Sequence, residues 1–175
     1  GAPGSRAARS IQPTTPSRRA RPQRRSPHAW LDWRSRTSKT SPIFNYPYAR
    51  TREALQGLVK AGPPDACHGY KLRYVNPASG GAPIATMGTY MQFLPKGFAS
   101  APYRSTDGTV FSVVEGKGES KVGDKVMRWK KRDQFVVPSW ARVEHRADVD
   151  AVLFSFSDRP VQEKLDLWRE DRGGK

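Results

Sequence analysis

The spacing of polar residues after Gly97 is the feature of this chain that bears most directly on chemistry. Five residues separate Gly97 from the triplet Tyr103-Arg104-Ser105. The first and third residues of a triplet in a strand point to the same side. Two histidines at those positions would bind a metal such as Fe(II), which needs imidazole or carboxylate donors. The residues at these two positions are a tyrosine and a serine, and a serine hydroxyl is a poor ligand unless it is deprotonated.

The chain has three histidines, which are His28, His68 and His145. A shifted metal site built from His145 with Glu144, Asp133 or Asp107 is one interpretation of the region around His145. The simpler interpretation, which we favour, is a rim or core histidine that is hydrogen-bonded to a neighbour. Cys67 precedes His68, but no second pair completes a metal or nucleophile site, so Cys67 is interpreted as a buried or incidental thiol.

The length of 175 residues suits one domain with appendages. Cys67 is the single cysteine, so no intrachain disulfide can form, and a reducing cytoplasm is the predicted compartment. No apolar run approaches the roughly 20 residues that span a bilayer, and the Arg-rich start lacks the apolar stretch of a signal peptide. The sequence therefore predicts a soluble, cytoplasmic protein without a membrane partner.

The net charge of +15 is distributed unevenly. Residues 1–40 carry ten Lys and Arg against the single Asp32, whereas residues 41–175 carry 21 Lys and Arg against 15 Asp and Glu. Residues 1–29 contain Ile11 as their only large aliphatic side chain, and such a composition cannot offset the entropy cost of ordering. We predict a disordered Arg/Pro-rich arm over residues 1–40 and a folded domain over residues 41–175.

Three interpretations of the role of this arm are open. It could bind nucleic-acid phosphates nonspecifically, with an affinity that falls steeply in salt. It could be a solvated tail, or the translation of a GC-rich segment in the wrong frame. Because the arm has no ordered motif, nucleic acid is not the partner that we favour.

Hydrophobic periodicity predicts two helices that flank a set of short strands. Ala54, Leu55, Leu58 and Val59 recur at helical spacing within residues 50–60, and Gly62-Pro63-Pro64 stops the pattern. A second helix is predicted after Asp158 and Pro160, with Val161, Leu165 and Trp168 on one face. The predicted strands are residues 72–75, 86–94, 109–115, 121–129, 134–137 and 151–157.

The strand pattern indicates an antiparallel sandwich or barrel, because no helices are interleaved. Val152, Phe154 and Phe156 alternate with smaller or polar residues, which is typical of a half-buried strand. Residues 115–118 and Gly123-Asp124 supply glycines for tight hairpins.

Residues 113–118 and 132–140, placed after Gly97, resemble the two halves of the cupin signature. Beyond this, residues 40–172 resemble the C-terminal half of gentisate 1,2-dioxygenases. The strings that carry this second resemblance are residues 40–51, 71–77, 94–98, 101–107 and 154–162.

The resemblance implies an all-β fold, a single cupin barrel (a double-stranded, jelly-roll-like β-helix) with flanking N- and C-terminal helices. Proteins of this family are two-barrel enzymes that often form tetramers. Their N-terminal barrel holds Fe(II) through three histidines and cleaves the ring of gentisate with O₂. The homologous positions here are filled by Tyr103, Ser105 and Val143, so the resemblance implies no catalytic residue, no metal and no cofactor in this chain. Fe(II) would belong to the family's catalytic barrel.

The pocket of such a barrel would be lined by Tyr103, Arg104, Ser105, Trp140, Arg142, Val143 and His145. Arg104 and Arg142 beside Trp140 would suit a small aromatic acid such as gentisate. We favour a simpler interpretation, in which Trp140 packs the barrel end and the arginines pair with Asp107 or Glu144.

We therefore expect the metal-free, structural half of a ring-cleaving dioxygenase, with a partner barrel or copies of itself as partner. A stand-alone cupin that binds an aromatic acid, and nucleic-acid binding through the arm, are the alternatives.

Overall fold

A computed structural model describes residues 45–173, and the predicted arm lies outside these residues. The described chain forms two helices and ten strands. In chain order these are α1 (Tyr48–Ala61), β1 (Tyr70–Arg73), β2 (Gly88–Leu94), β3 (Arg104–Ser105), β4 (Thr109–Glu115), β5 (Lys117–Val122), β6 (Lys125–Lys130), β7 (Gln134–Val137), β8 (Val143–Ala147), β9 (Ala151–Ser157), α2 (Arg159–Lys164) and β10 (Glu170–Asp171).

The strands form an antiparallel barrel of two facing sheets. One sheet has the order β1-β2-β9-β4-β7 and the other has the order β6-β5-β8, while β3 and β10 form a short separate pair. The main apolar core lies inside the barrel, where the rings of Phe111 and Phe135 stack with centroids 5.0 Å apart. The predicted all-β cupin barrel with flanking helices is confirmed.

Helix α1 covers the outer face of the larger sheet. Its Leu55 is completely buried against Met91, Phe93 and Val152, and full burial of such a side chain stabilises a fold by about 1.5–3 kcal/mol. The Thr51 hydroxyl also accepts a hydrogen bond of 3.0 Å from Tyr74. Strands β1, β2 and β9 are therefore covered on both faces, whereas Val136 on the outer face of β7 is 54% exposed.

This double burial changes the interpretation of β9. Val152 and Phe154 share a face, as predicted, and they pack beneath α1. Ser155 and Ser157, on the opposite face, are 0% and 3% exposed. The inward face of β9 is thus buried and carries small polar residues, while Phe154 and Phe156 on the outer face are partly buried.

Other local predictions differ from the structure. Residues 121–129 are not one continuous strand, because β5 and β6 form a hairpin there; its turn lies at Gly123 and Asp124, where a tight hairpin was predicted. Gly116 does not turn a hairpin; it has φ of 82° and joins β4 to β5, which belong to different sheets. Strand β8 was not predicted, because its inward residues include a histidine and an alanine.

Helix α2 begins after Asp158, as predicted, but it ends at Lys164. Leu165 is consequently 62% exposed, and Trp168 lies beyond the helix. Asp166 has φ of 56°, and the chain then runs into β10, which pairs with β3. The tail therefore returns to the end of the barrel that carries the Tyr103 triplet. Among residues 45–173, no helix has the length and apolar character needed to cross a membrane.

Candidate functional site

The candidate site is a cavity inside the barrel, near β3 and β8. The space that water can enter totals about 30 Å³. One water molecule needs roughly 10–15 Å³ of such space, so the cavity holds about two. Its lining consists of Cys67, His68, Lys71, Tyr90, Tyr103, Arg104, Ser105, Asp107, Thr109, Phe111, Val137, Ala141, Val143, His145, Ser157 and Arg159.

The three residues that the resemblance assigns to metal-ligand positions, Tyr103, Ser105 and Val143, all line this cavity. Backbone hydrogen bonds join Tyr103 and Val143 in both directions, at 3.0 and 2.7 Å. The Tyr103 hydroxyl donates to Glu170 at 3.1 Å, and burial raises the pKa of Tyr103 to about 12. The phenol therefore stays protonated at neutral pH.

These residues do not fit Fe(II). The side chain of Val143 has no donor atom, the Tyr103 oxygen is committed to Glu170, and Ser105 offers a neutral hydroxyl. A facial iron site needs imidazole or carboxylate donors with open positions for substrate and O₂. No group of three or more His, Cys, Asp or Glu placed to bind a metal occurs within residues 45–173.

His145 lies in the core, 4% exposed, with a hydrogen-bond arrangement that fixes its tautomer. The indole Nε1–H of Trp129 donates to Ser120 Oγ at 2.8 Å. Ser120 lies 2.7 Å from His145 Nδ1, and its own proton is free to donate to that nitrogen. Burial, with a contribution from the charge of Lys71, lowers the pKa of His145 to about 4. The ring is therefore neutral, with its proton on Nε2.

The partners proposed for a shifted metal site are dispersed. Glu144 lies opposite Lys121 on the outer face of β8. Asp133 accepts a bond of 2.9 Å from the backbone of Lys130, in the turn before β7. Of the three carboxylates considered, Asp107 is the one in the cavity lining.

The two arginines at the cavity mouth pair with a residue that the sequence did not suggest. Arg104 bonds Asp171 on β10 through Nε and Nη2, both at 2.8 Å, and Arg142 approaches the same carboxylate at 3.6 Å. The Arg104 guanidinium also lies 4.7 Å from the ring centroid of Trp140. Trp140 and Arg142 are outside the cavity lining. The expected partners, Asp107 and Glu144, are not the ones used.

Sequence reasoning missed the polar groups that enter the cavity from β1 and the loop before it. Burial, acting before nearby charges, lowers the pKa of Lys71 to about 8, and its Nζ lies 4.8 Å from the Tyr90 ring centroid. Burial also lowers the pKa of His68 to about 3, and its ring stands edge-on to Tyr103 at 4.5 Å. Tyr70 and Leu72 on the outer face of β1 could have indicated that Lys71 points inward.

Asp107 and Arg159 complete the charged lining. Burial raises the pKa of Asp107, but hydrogen bonds from Ser157, Ser105 and Trp168 outweigh it and hold the pKa below its ordinary value. Arg159 pairs with Glu163 at 2.7 Å and lies over the ring of Trp168. The cavity is thus small, polar and cationic.

Comparisons with known proteins agree with this geometry, although no family model matches the chain. The chain is 58% identical over 133 residues to gentisate 1,2 dioxygenase 1 of Aquipseudomonas alcaligenes, a match that covers 76% of this chain and 38% of that protein. It is 39% identical over 138 residues to a gentisate 1,2-dioxygenase of Streptomyces sp, covering 76% of this chain and 38% of the relative.

The chain is also similar in three-dimensional structure to a solved protein. The chain superposes on salicylate 1,2-dioxygenase from Pseudoaminobacter salicylatoxidans, in a structure titled as adducts with gentisate, with a TM-score of 0.70 and 32% identity. That match covers 79% of this chain and 39% of the other. The chain thus spans under two fifths of the length of the curated relatives above. Over the matched residues it belongs to the gentisate 1,2-dioxygenase family and corresponds to the C-terminal cupin half.

Proposed function

We propose that residues 41–175 form the metal-free, structural half of a ring-cleaving dioxygenase that acts on an aromatic acid such as gentisate. One observation carries the proposal: Tyr103, Ser105 and Val143, which stand at the metal-ligand positions that the resemblance implies, line one cavity and supply no ligand set for Fe(II). In the whole protein, a second barrel would hold the iron and perform the chemistry. The role of this barrel is then to support that catalytic barrel and the assembly.

Anaerobic loading with Fe(II) tests the proposal directly. The chain is incubated with Fe(II), desalted and analysed for bound iron, and gentisate-dependent O₂ uptake is then measured. We expect neither stoichiometric iron nor uptake, while gentisate 1,2 dioxygenase 1 of Aquipseudomonas alcaligenes serves as the positive control. Uptake that follows iron content would overturn the proposal.

A second candidate function is binding of an aromatic acid by this barrel alone. The stacking of Arg104, which lines the cavity, on Trp140, which lies outside the lining, supports it, since a cation beside an aromatic face suits an aromatic carboxylate. The volume of about 30 Å³ counts against it, because small-molecule pockets are usually about 300–1,000 Å³. Calorimetry with gentisate and salicylate at several temperatures decides the matter. Saturable heat that is lost in Arg104→Leu would favour this candidate.

The role of residues 1–40 stays a separate proposal, because they lie outside the described residues. If the arm binds nucleic acid, binding disappears in a chain that starts at Ser41 and weakens steeply with salt in the full chain. Binding that persists without the arm would contradict an arm-based account.

A further inference from the structure

The barrel interior carries polar side chains whose hydrogen-bonding groups lack protein partners. Lys71 on β1 lies opposite Gln92 on β2, and Tyr90 lies opposite Ser155 on β9. Gln92 is 1% exposed and Ser155 is fully buried. Within residues 45–173, neither the amide of Gln92 nor the hydroxyl of Ser155 has a hydrogen-bond partner. A buried polar group without a partner costs about 1–3 kcal/mol. Neither residue lines the cavity, however, so an occupant of the cavity would be recognised by other side chains.

Lys71 adds a positive charge that no carboxylate of the described residues contacts directly. None of the described carboxylates lies within 4 Å of its Nζ, in contrast to Arg104 and Arg159, whose charges are met by Asp171 and Glu163. Asp107 is nearby, but its oxygens already receive the indole of Trp168 and the hydroxyl of Thr109. An unpaired ammonium inside a barrel favours an anionic neighbour.

The imidazole of His145 contributes a hydrogen-bond donor with a fixed direction to the cavity. Its Nδ1 is occupied by Ser120, so the proton lies on Nε2, for which the described part of the chain provides no acceptor. Because His145 and Lys71 both line the cavity, an imidazole N–H and an ammonium face one small space.

We propose that this cavity binds one small monoanion, of halide or formate size, through Lys71 and the Nε2–H of His145. The volume of about 30 Å³ sets the size limit, since it admits an occupant of about two water molecules and excludes an aromatic ring. The inference does not depend on the proposed structural role. The competing occupant is a pair of waters that bridge Lys71 and Asp107, which would show no preference among anions.

Thermal unfolding of the full chain in sodium bromide, compared with sodium glutamate at equal ionic strength, tests the proposal. Glutamate is too large for the cavity, so the comparison removes general screening of a chain with a net charge of +15. Above saturation, each tenfold increase in bromide is expected to raise the midpoint by roughly 3–5 °C relative to glutamate. Equal midpoints in the two salts would overturn the proposal.

Lys71→Met tests whether Lys71 causes the bromide effect on the unfolding midpoint. Lys125→Met, on the exposed edge strand β6, is its matched control. Both variants lose one positive charge, but Lys125 faces solvent. We expect the bromide effect to vanish in Lys71→Met and to persist in Lys125→Met. If Lys71→Met keeps the effect, the anion does not bind at this cavity.

Bromide anomalous scattering from crystals of the unsubstituted chain locates the anion even if Lys71→Met fails to fold. We expect a bromide peak in the anomalous difference map, in contact with Lys71 Nζ and His145 Nε2. A map without a peak in the cavity would count against the site.

The pH dependence gives a further readout. The charged or titratable groups that line the cavity with Lys71 are Cys67, His68, Tyr90, Tyr103, Arg104, Asp107, His145 and Arg159, and the charges of Asp65 and Glu170 also act on its ammonium. The two histidines have pKa values near 3 and 4, and hydrogen bonds hold the pKa values of Asp65 and Asp107 below their ordinary value. Burial lowers the pKa of Lys71 to about 8, so its positive charge is lost between about pH 6.5 and pH 9.5. Bromide affinity should therefore fall several-fold over that interval, and an affinity independent of pH would contradict a role for the ammonium.

Discussion

Trp168 donates its indole N–H to Asp107 at 2.9 Å across 61 residues of sequence. This bond ties the C-terminal tail to the lining of the barrel cavity. The pairing of β10 with β3 and the contact of Arg104 with Asp171 extend the same attachment. The tail, which the sequence suggested was part of a longer helix, therefore closes the end of the barrel.

Trp168→Phe should destabilise the fold by about 2 kcal/mol, because hydrogen bonds to a charged group contribute about 1.5–3 kcal/mol. The phenyl ring keeps most of the packing against Arg159, so the loss reports mainly the bond to Asp107. Urea unfolding at neutral pH measures the change. Leu167→Ala is the control, since Leu167 is 59% exposed and its truncation should cost little. Equal losses in the two variants would show that the indole bond is unimportant.

The sequence predicted helix α1, the main strands and the position of the Tyr103 triplet because these depend on local periodicity and on a specific resemblance. It could not predict that Arg104 pairs with Asp171, since the two are 67 residues apart and no pattern joins them. Contacts of that kind depend on how the tail folds back.

The polar interior of the barrel could not be predicted from the sequence, for a different physical reason. In a sheet that is covered on both faces, alternation separates two sets of side chains but does not show which set enters the barrel. The outward set of β9 contains Phe154 and Phe156, and the inward set contains Ser155 and Ser157. The usual assumption that the apolar set faces the main core therefore assigns Lys71 and these serines to the wrong side.

Ser120→Ala should destabilise the domain by about 2–4 kcal/mol. The substitution leaves both the Trp129 indole N–H and His145 Nδ1 buried without a partner, and each costs about 1–3 kcal/mol. Ser112→Ala is a suitable control because Ser112 lies on a partly exposed face of β4. Unfolding in urea, followed by tryptophan fluorescence, compares the two. A loss no larger than that of the control would contradict the proposed hydrogen-bond chain.

Stability should fall as the pH is lowered from about 6.5 to about 4.5. The pKa values of His145 and His68 lie near 4 and 3 in the folded state, below the ordinary value of 6.5, because both rings are buried. The unfolded chain therefore binds protons first, and each histidine contributes a slope of up to about 1.4 kcal/mol per pH unit. Free energies of unfolding over this range measure the slope. His145→Gln should make it shallower, and an unchanged slope would show that His145 does not titrate as described.

Gly116 and Gly123 form a matched pair for testing the corner between the sheets. Both have positive φ, at 82° and 57°, so alanine is strained at either position. A Cβ at Gly116 would also collide with the carbonyl oxygen of Asp150 and with Ala151, whereas the space at Gly123 is open. Gly123→Ala should cost about 1 kcal/mol, and Gly116→Ala should cost several times more or prevent folding. Equal thermal midpoints for the two variants would refute the close approach at Gly116.

Residues 41–175 should self-associate when they are produced alone. The described surface exposes large apolar side chains at several places, with Leu165 and Leu167 62% and 59% exposed only two residues apart. Apolar surface of this kind is normally covered by a partner, and the proposed structural role supplies one in the form of a second barrel. Light scattering over a wide concentration range should show a rising mean mass. Leu165→Ser with Leu167→Ser should reduce that rise, whereas Val126→Ser on the distant edge strand β6 should not. A monomer at every concentration would indicate that this surface needs no partner and would weaken the proposal that the barrel serves as an assembly half.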